Sequence, residues 1–190
     1  MSDTLTIGEA LPSIRRTLNQ SDQLCALIPV DLLEWRPVDP SGAFQFSLAE
    51  IALHIADSRL IAPRQLEGNN SEEGFMVEYL DVAENGSHWK CKPYTGKAAI
   101  LEHLKNTRAV FETWLARPAS ELLAITPEAA AVFKRTLEGM EQRGEDTSVL
   151  KKRGAANPMR LLSGAAIHES GHRASLHTLL RQHGINLPEN

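Results

Sequence analysis

His168 and His172 stand one helical turn apart in the segment Ala166-Ile167-His168-Glu169-Ser170-Gly171-His172-Arg173, and a third histidine, His54, lies far upstream in Glu50-Ile51-Ala52-Leu53-His54-Ile55-Ala56-Asp57. Residues four apart on a helix are separated by only about 40° around its axis, so two such imidazoles can converge on one point. Three neutral imidazoles meeting between helices would make a divalent-metal site with at least one open position, as a catalytic metal requires. The alternative for each residue is a hydrogen-bonded core histidine. The pair favours the metal, because two imidazoles one turn apart repel when charged and need partners when neutral, whereas a cation uses both lone pairs.

The elements that must position these residues can be read from hydrophobic periodicity and capping signals. Thr6 with Glu9 matches a capping box, and Ile7, Leu11, Ile14, Leu18, Leu24 and Ile28 recur at near-helical intervals, so one helix is expected over 7–28 with Pro12 in its first turns. A connection follows through Pro29, Trp35-Arg36-Pro37 and Pro40-Ser41-Gly42. Ser47 and Glu50 form a second capping box ahead of Leu48, Ile51, Ile55, Ala62 and Leu66, predicting a helix that ends near Gly68. The polar tract 67–74 reads as a loop. Beyond it, two short runs flank Asn85-Gly86, compatible with either a small hairpin or an irregular loop.

A third helix is expected from Gly96 to Arg117, stopped by Pro118, and a shorter one from Thr126-Pro127 to about Glu141. The stretch 142–156, with Lys151-Lys152-Arg153, reads as a solvated loop. Asn157-Pro158 opens a long final helix ending at His183-Gly184, in which Leu161, Ala165, His168, His172, Leu176 and Leu179 form the stripe expected to face the core. The expected fold is therefore all-α: a four-helix bundle with a short inserted helix, forming a single domain over residues 1–190.

Composition narrows the function classes. A content of 42% hydrophobic and 23% charged residues is that of an ordinary soluble domain, and a net charge of −4 gives no electrostatic case for nucleic acid. The start, Met1-Ser2-Asp3-Thr4-Leu5-Thr6, lacks a basic region followed by an apolar run, and no stretch approaches the roughly 20 apolar residues that span a bilayer, so a cytoplasmic protein is expected. Cys25 and Cys91 lack CxxC spacing and read as free thiols. No Ser-His-Asp arrangement, phosphate-binding glycine loop or HExxH motif offers a competing chemistry.

In Trp35-Arg36-Pro37, in the helix around His54, and in the closing helix His168-Glu169-Ser170-Gly171-His172-Arg173 followed by Leu179-Leu180-Arg181-Gln182-His183-Gly184, the chain resembles the DinB/YfiT-like family of metal-dependent proteins. The resemblance implies a four-helix bundle in which a histidine of the second helix and an HxxxH pair of the last bind a divalent metal. Carried over by position, the ligands are His54, His168 and His172. The family motif closes histidine-arginine-glycine-glutamine, where this chain has His172-Arg173-Ala174-Ser175; the departure leaves the ligand pattern intact and bears on the family's substrate contacts.

Glu50 and Asp57, flanking His54, are candidates to orient its ring, although Glu50 has a capping role and Asp57 could be a solvent-facing acid. Glu169 and Arg173 are expected in surface ion pairs or packing. His88, His103, His177 and His183 lack ligand spacing and are expected in surface or loop roles. The leading expectation is a metal-dependent transferase or hydrolase with an open coordination position. The resemblance makes thiol-dependent S-transfer its specific form, with a small-molecule substrate, a low-molecular-weight thiol and a homodimer as expected partners. Zinc ranks first and nickel second, with iron and copper also compatible with three imidazoles. Two other classes are a non-catalytic, stress-associated metal-binding protein and a metal-free helical interaction domain.

Overall fold

The computed structural model describes residues 5–41, 45–69, 71, 73–84 and 87–187, with side chains omitted from 79–84 and 87–88. Among these, the chain is mostly helical, with seven α-helices and one two-stranded sheet. The first helical segment is interrupted. Thr6 and Glu9 form the expected capping box at α1 (Ile7–Ala10), but Leu11 leaves helical geometry at φ −123°, ψ 62°, and α2 (Pro12–Ala26) starts afresh. Proline lacks the N–H needed to continue the helix and disfavours helical backbone in the residue before it, so Pro12 begins a helix instead of being absorbed into one.

The central element is α3 (Leu48–Leu66), whose N-terminus is closed by Ser47 and Glu50. Glu50 N donates to Ser47 Oγ at 3.2 Å, and Ser47 N donates to Glu50 Oε2 at 2.9 Å. Buried residues occupy most of this helix, among them Leu48, Ile51, Leu53, Ile55 and Leu60, and leave a less covered face at Glu50, His54, Ile61 and Gln65. The hairpin is present: β1 (Val77–Glu84) pairs antiparallel with β2 (Ser87–Cys91), Val77 facing Cys91 and Tyr79 facing Trp89. Its turn, Asn85-Gly86, lies outside the described residues.

The remaining helices are α4 (Gly96–Leu115), α5 (Pro127–Gln142), α6 (Ser148–Arg153) and α7 (Pro158–Gln182). Thr126 and Asn157 cap α5 and α7 through backbone N–H groups three residues on. Helix α6 corrects the expectation of a loop throughout 142–156: the basic run Lys151-Lys152-Arg153 forms the end of a short helix stopped by Gly154 at φ +68°. Cations in the last turn face the negative end of the helix dipole, which favours helix where charge alone suggested a solvated loop.

Helix α3 packs against α4 and α7, α2 packs against both of these in turn, and α5 lies on α3. One apolar cluster includes Leu24, Ile28, Leu53, Ile100 and Leu180, while a second gathers Ile14, Leu18, Leu66, Phe111 and Leu162. Arg59, wholly excluded from solvent, sits among these helices. Its Nε and Nη2 donate to the two carboxylate oxygens of Glu169 at 3.1 and 2.8 Å. Nη1 lies 2.7 Å from Asp22 Oδ1 and donates to Leu104 O, while Nη2 also reaches Leu18 O. One side chain on α3 thus contacts α2, α4 and α7. Burial alone pulls the guanidinium pKa down; hydrogen bonds and charge from Glu169, with Asp22, carry it above its ordinary value.

Removing one partner of a buried pair leaves the other charge uncompensated, so Arg59→Leu is expected to cost about 3–5 kcal/mol in urea unfolding. Arg59→Leu combined with Glu169→Leu should cost less than Arg59→Leu alone. A single variant within about 1 kcal/mol of wild type would show that the pair does not hold the helices.

Candidate metal centre

His54 is carried in the middle of α3 and His168 and His172 on successive turns of α7, and the packing of these two helices brings the three rings together. The His54 Nε2 to His168 Nε2 distance is 3.1 Å. The His172 ring centroid lies 4.5 Å from each of the other two, and one nitrogen of each residue lies within 4.8 Å of the others. Two imidazole nitrogens sharing an ion at about 2.0–2.1 Å stand roughly 2.9–3.4 Å apart for right-angled to tetrahedral geometry. The closest pair already has that spacing; without an ion, an N–H···N hydrogen bond fits the same distance, with the tautomers assigned by this network. Among the described residues, no carboxylate or thiol joins the group.

Aromatic walls hold the His54 ring in place. Phe46 stacks on it with 5.9 Å between centroids and 13° between planes, and Trp89 meets it edge-on at 5.4 Å. Burial, followed by the neighbouring His172 and His168, lowers the His54 pKa from 6.5 to about 4. Burial, then His168, lowers that of His172. Both rings are therefore neutral at pH 7, the form in which an imidazole offers a lone pair to a cation. His54 and His172 are half-buried and His168 is exposed, so the group sits at the edge of the core with access to solvent. A donor set of three neutral imidazoles within reach of one another fits a divalent transition metal.

No protein-family model matches the chain, and searches of curated proteins and of solved structures give no match. The chemistry of the site therefore rests on the chain's own residues.

Several residues occupy roles different from those expected. The buried stripe of α7 is Leu162, Ala166, Glu169, Leu176 and Leu180, displaced by about one position from the stripe drawn through the histidines. His168 and His172 accordingly flank the core instead of facing it. Glu169, expected at a surface ion pair, is 1 % exposed and locked to Arg59. Arg173 hydrogen-bonds Gln20 on α2.

Asp57 is a buried acid at 3 % exposure, not a solvent-facing one, and its carboxylate is occupied away from the imidazoles. It accepts from the backbone N–H of Met76 and Val77, at 2.9 and 2.7 Å, and lies 2.7 Å from His103 Nε2. His103 is thereby a structural partner on α4 and not a surface residue. Glu50 caps α3 and pairs with Arg36, Nη2 donating to Oε1 at 2.6 Å. His183 caps the end of α7, edge-on to Trp35 at 4.2 Å, and His177 is half-buried. The side chain of His88 lies outside the described residues. Both cysteines are free, with burial pushing each thiol up to about 12.

Arg59, Phe46 and Trp89 were not identified from sequence. An arginine within the apolar run of α3 is a signal for the first. The placement of Trp89 depends on the hairpin and has no local signature.

In the metal-free protein the unfolded chain protonates His54 near 6.5 while the native state does so only near 4. Stability contributed by neutral His54 is thus fully present above 6.5 and is lost as pH falls toward 4. The urea midpoint should fall across this window, and less steeply in His54→Ala. Identical slopes in both proteins would count against a neutral, half-buried His54.

Proposed function

We propose that His54, His168 and His172 hold a divalent metal and that the protein is a metal-dependent enzyme. The observation that carries this reading is the convergence of three imidazoles from two helices, two of them kept neutral, at a solvent-accessible edge of the core. A cation bound by three neutral ligands keeps its full charge and lowers the pKa of a coordinated water or thiol. Phe46 and Trp89 orient His54 and shield one side of it. The exposed His168 leaves an approach for a reactant from the other.

Thiol-dependent S-transfer is the specific form we propose, on the strength of the motif resemblance, together with a DinB/YfiT-like four-helix arrangement, a homodimer and a cytoplasmic setting. The packing of α2, α3, α4 and α7 is compatible with that bundle, and among the described residues no helix is long and apolar enough to cross a membrane. Zinc is the first candidate and nickel the second, three imidazoles being suited to either.

Elemental analysis of untagged protein is expected to find near-stoichiometric metal, lost in both His54→Ala and His168→Ala while circular dichroism keeps its helical signal. Metal without turnover across a panel of low-molecular-weight thiols and organic electrophiles would favour a non-catalytic binding protein. Absence of metal after anaerobic reconstitution would leave a helical interaction domain.

A further inference from the structure

A cleft of about 410 Å³ runs between α3, α5, α6 and α7 and ends against His168. Its size falls in the range of small-molecule sites, roughly 300–1,000 Å³. Small residues make the room: Ala62, Ala129, Gly164 and Ala165 all line it, and a Cβ added at Gly164 would meet nothing within 4 Å. Ile61, 40 % exposed, presents its side chain to the same space. Two hydroxyls in the lining are already satisfied by their own helices, Ser58 Oγ donating to Ile55 O and Thr136 Oγ1 to Val132 O. Gln65 adds one amide to a lining that is otherwise largely apolar.

The titratable side chains of the lining are Arg160 and His168. Arg160 and His168 are eight residues apart on α7, about 12 Å at 1.5 Å per residue. Among the described residues Arg160 has no carboxylate partner, its Nη1 donating to the Arg153 carbonyl at 3.2 Å. Lys152 and Arg153 are exposed on α6, the helix that supplies Leu150 to the cleft. A largely apolar cleft with the Arg160 guanidinium at one end and the His168 imidazole at the other is matched by an elongated molecule with one anionic end.

We propose that this cleft binds an apolar organic anion, an alkyl or aryl carboxylate, with its charge at Arg160 and its opposite end against His168, the member of the three-histidine centre that lines the cleft. In assigning that molecule the role of substrate, the proposal rests on the metal-centre reading; the binding itself does not.

The test is calorimetric titration of metal-free protein with octanoate and, as a neutral comparator, octan-1-ol. Wild type is expected to bind both. Gly164→Leu, which fills the cleft from an open helical position, should weaken both by about tenfold or more through steric exclusion. Ile61→Asp, at an exposed position of the facing wall, provides a second block should Gly164→Leu fail to fold, and should weaken octanoate comparably. Arg160→Gln should weaken octanoate by about five- to tenfold and leave octan-1-ol unchanged, because only the charge-assisted contact is lost.

The proposal is overturned if folded wild type does not bind octanoate, or if both blocking variants bind it as wild type does. It is also overturned if Arg160→Gln binds octanoate as wild type does, since the carboxylate would then not lie at Arg160. Metal content measured on the protein as purified, before the metal is removed for titration, separates the two readings. Octanoate binding without a metal site retains the cleft and removes the enzyme proposal, and metal without octanoate binding does the reverse.

Discussion

The buried guanidinium of Arg59 is the constraint on which the arrangement of helices depends. A charge without access to water is tolerated only when its donors are met, and Arg59 meets that condition by drawing on Glu169 of α7, Asp22 of α2 and the carbonyls of Leu104 and Leu18. Asp22 is shared with Arg108 of α4, which also reaches Glu112, itself bonded to Arg15. The network runs from a buried centre outward to a half-exposed rim. Apolar packing tolerates sliding of one helix on another, whereas a two-pronged arginine–carboxylate contact specifies rotation and register together.

That register sets the histidine centre. Glu169 must face Arg59, and His168, one residue earlier and about 100° around the axis, is thereby turned to the edge of the core. His172 follows one turn later on the same side. On α3, His54 lies five residues before Arg59, and the two are directed to different surroundings, one to the imidazole cluster and the other to the ion pair. The same helix pair, α3 and α7, therefore carries both the contact that aligns the helices and the groups that the alignment brings together.

Asp57 supplies a third link from α3. By accepting the N–H groups of Met76 and Val77 and contacting His103, it ties the start of β1 to α3 and α4. The hairpin so anchored returns Trp89 to the edge of the His54 ring. A residue that could have been read as orienting His54 directly instead acts on its surroundings through a strand.

By itself the sequence determined the helix starts at Ser47, Thr126 and Asn157, the stop before Pro118, and the ligand-like spacing of His168 and His172, because caps, prolines and i,i+4 spacing act over a few residues. The interruption at Pro12 was also a local effect, though hydrophobic periodicity running across it suggested one continuous helix. The identity of the core-facing stripe on α7 was decided by tertiary structure. Its Gly164, Ala165 and Ala166 give little hydrophobic contrast between neighbouring faces, and a charged residue, Glu169, occupies a core position that an apolar pattern assigns elsewhere. The partner that makes this burial tolerable, Arg59, lies 110 positions away in the chain. Local spacing could place two histidines on one face; only the long-range pairing of α3 with α7 decided where that face points and brought His54 to meet it.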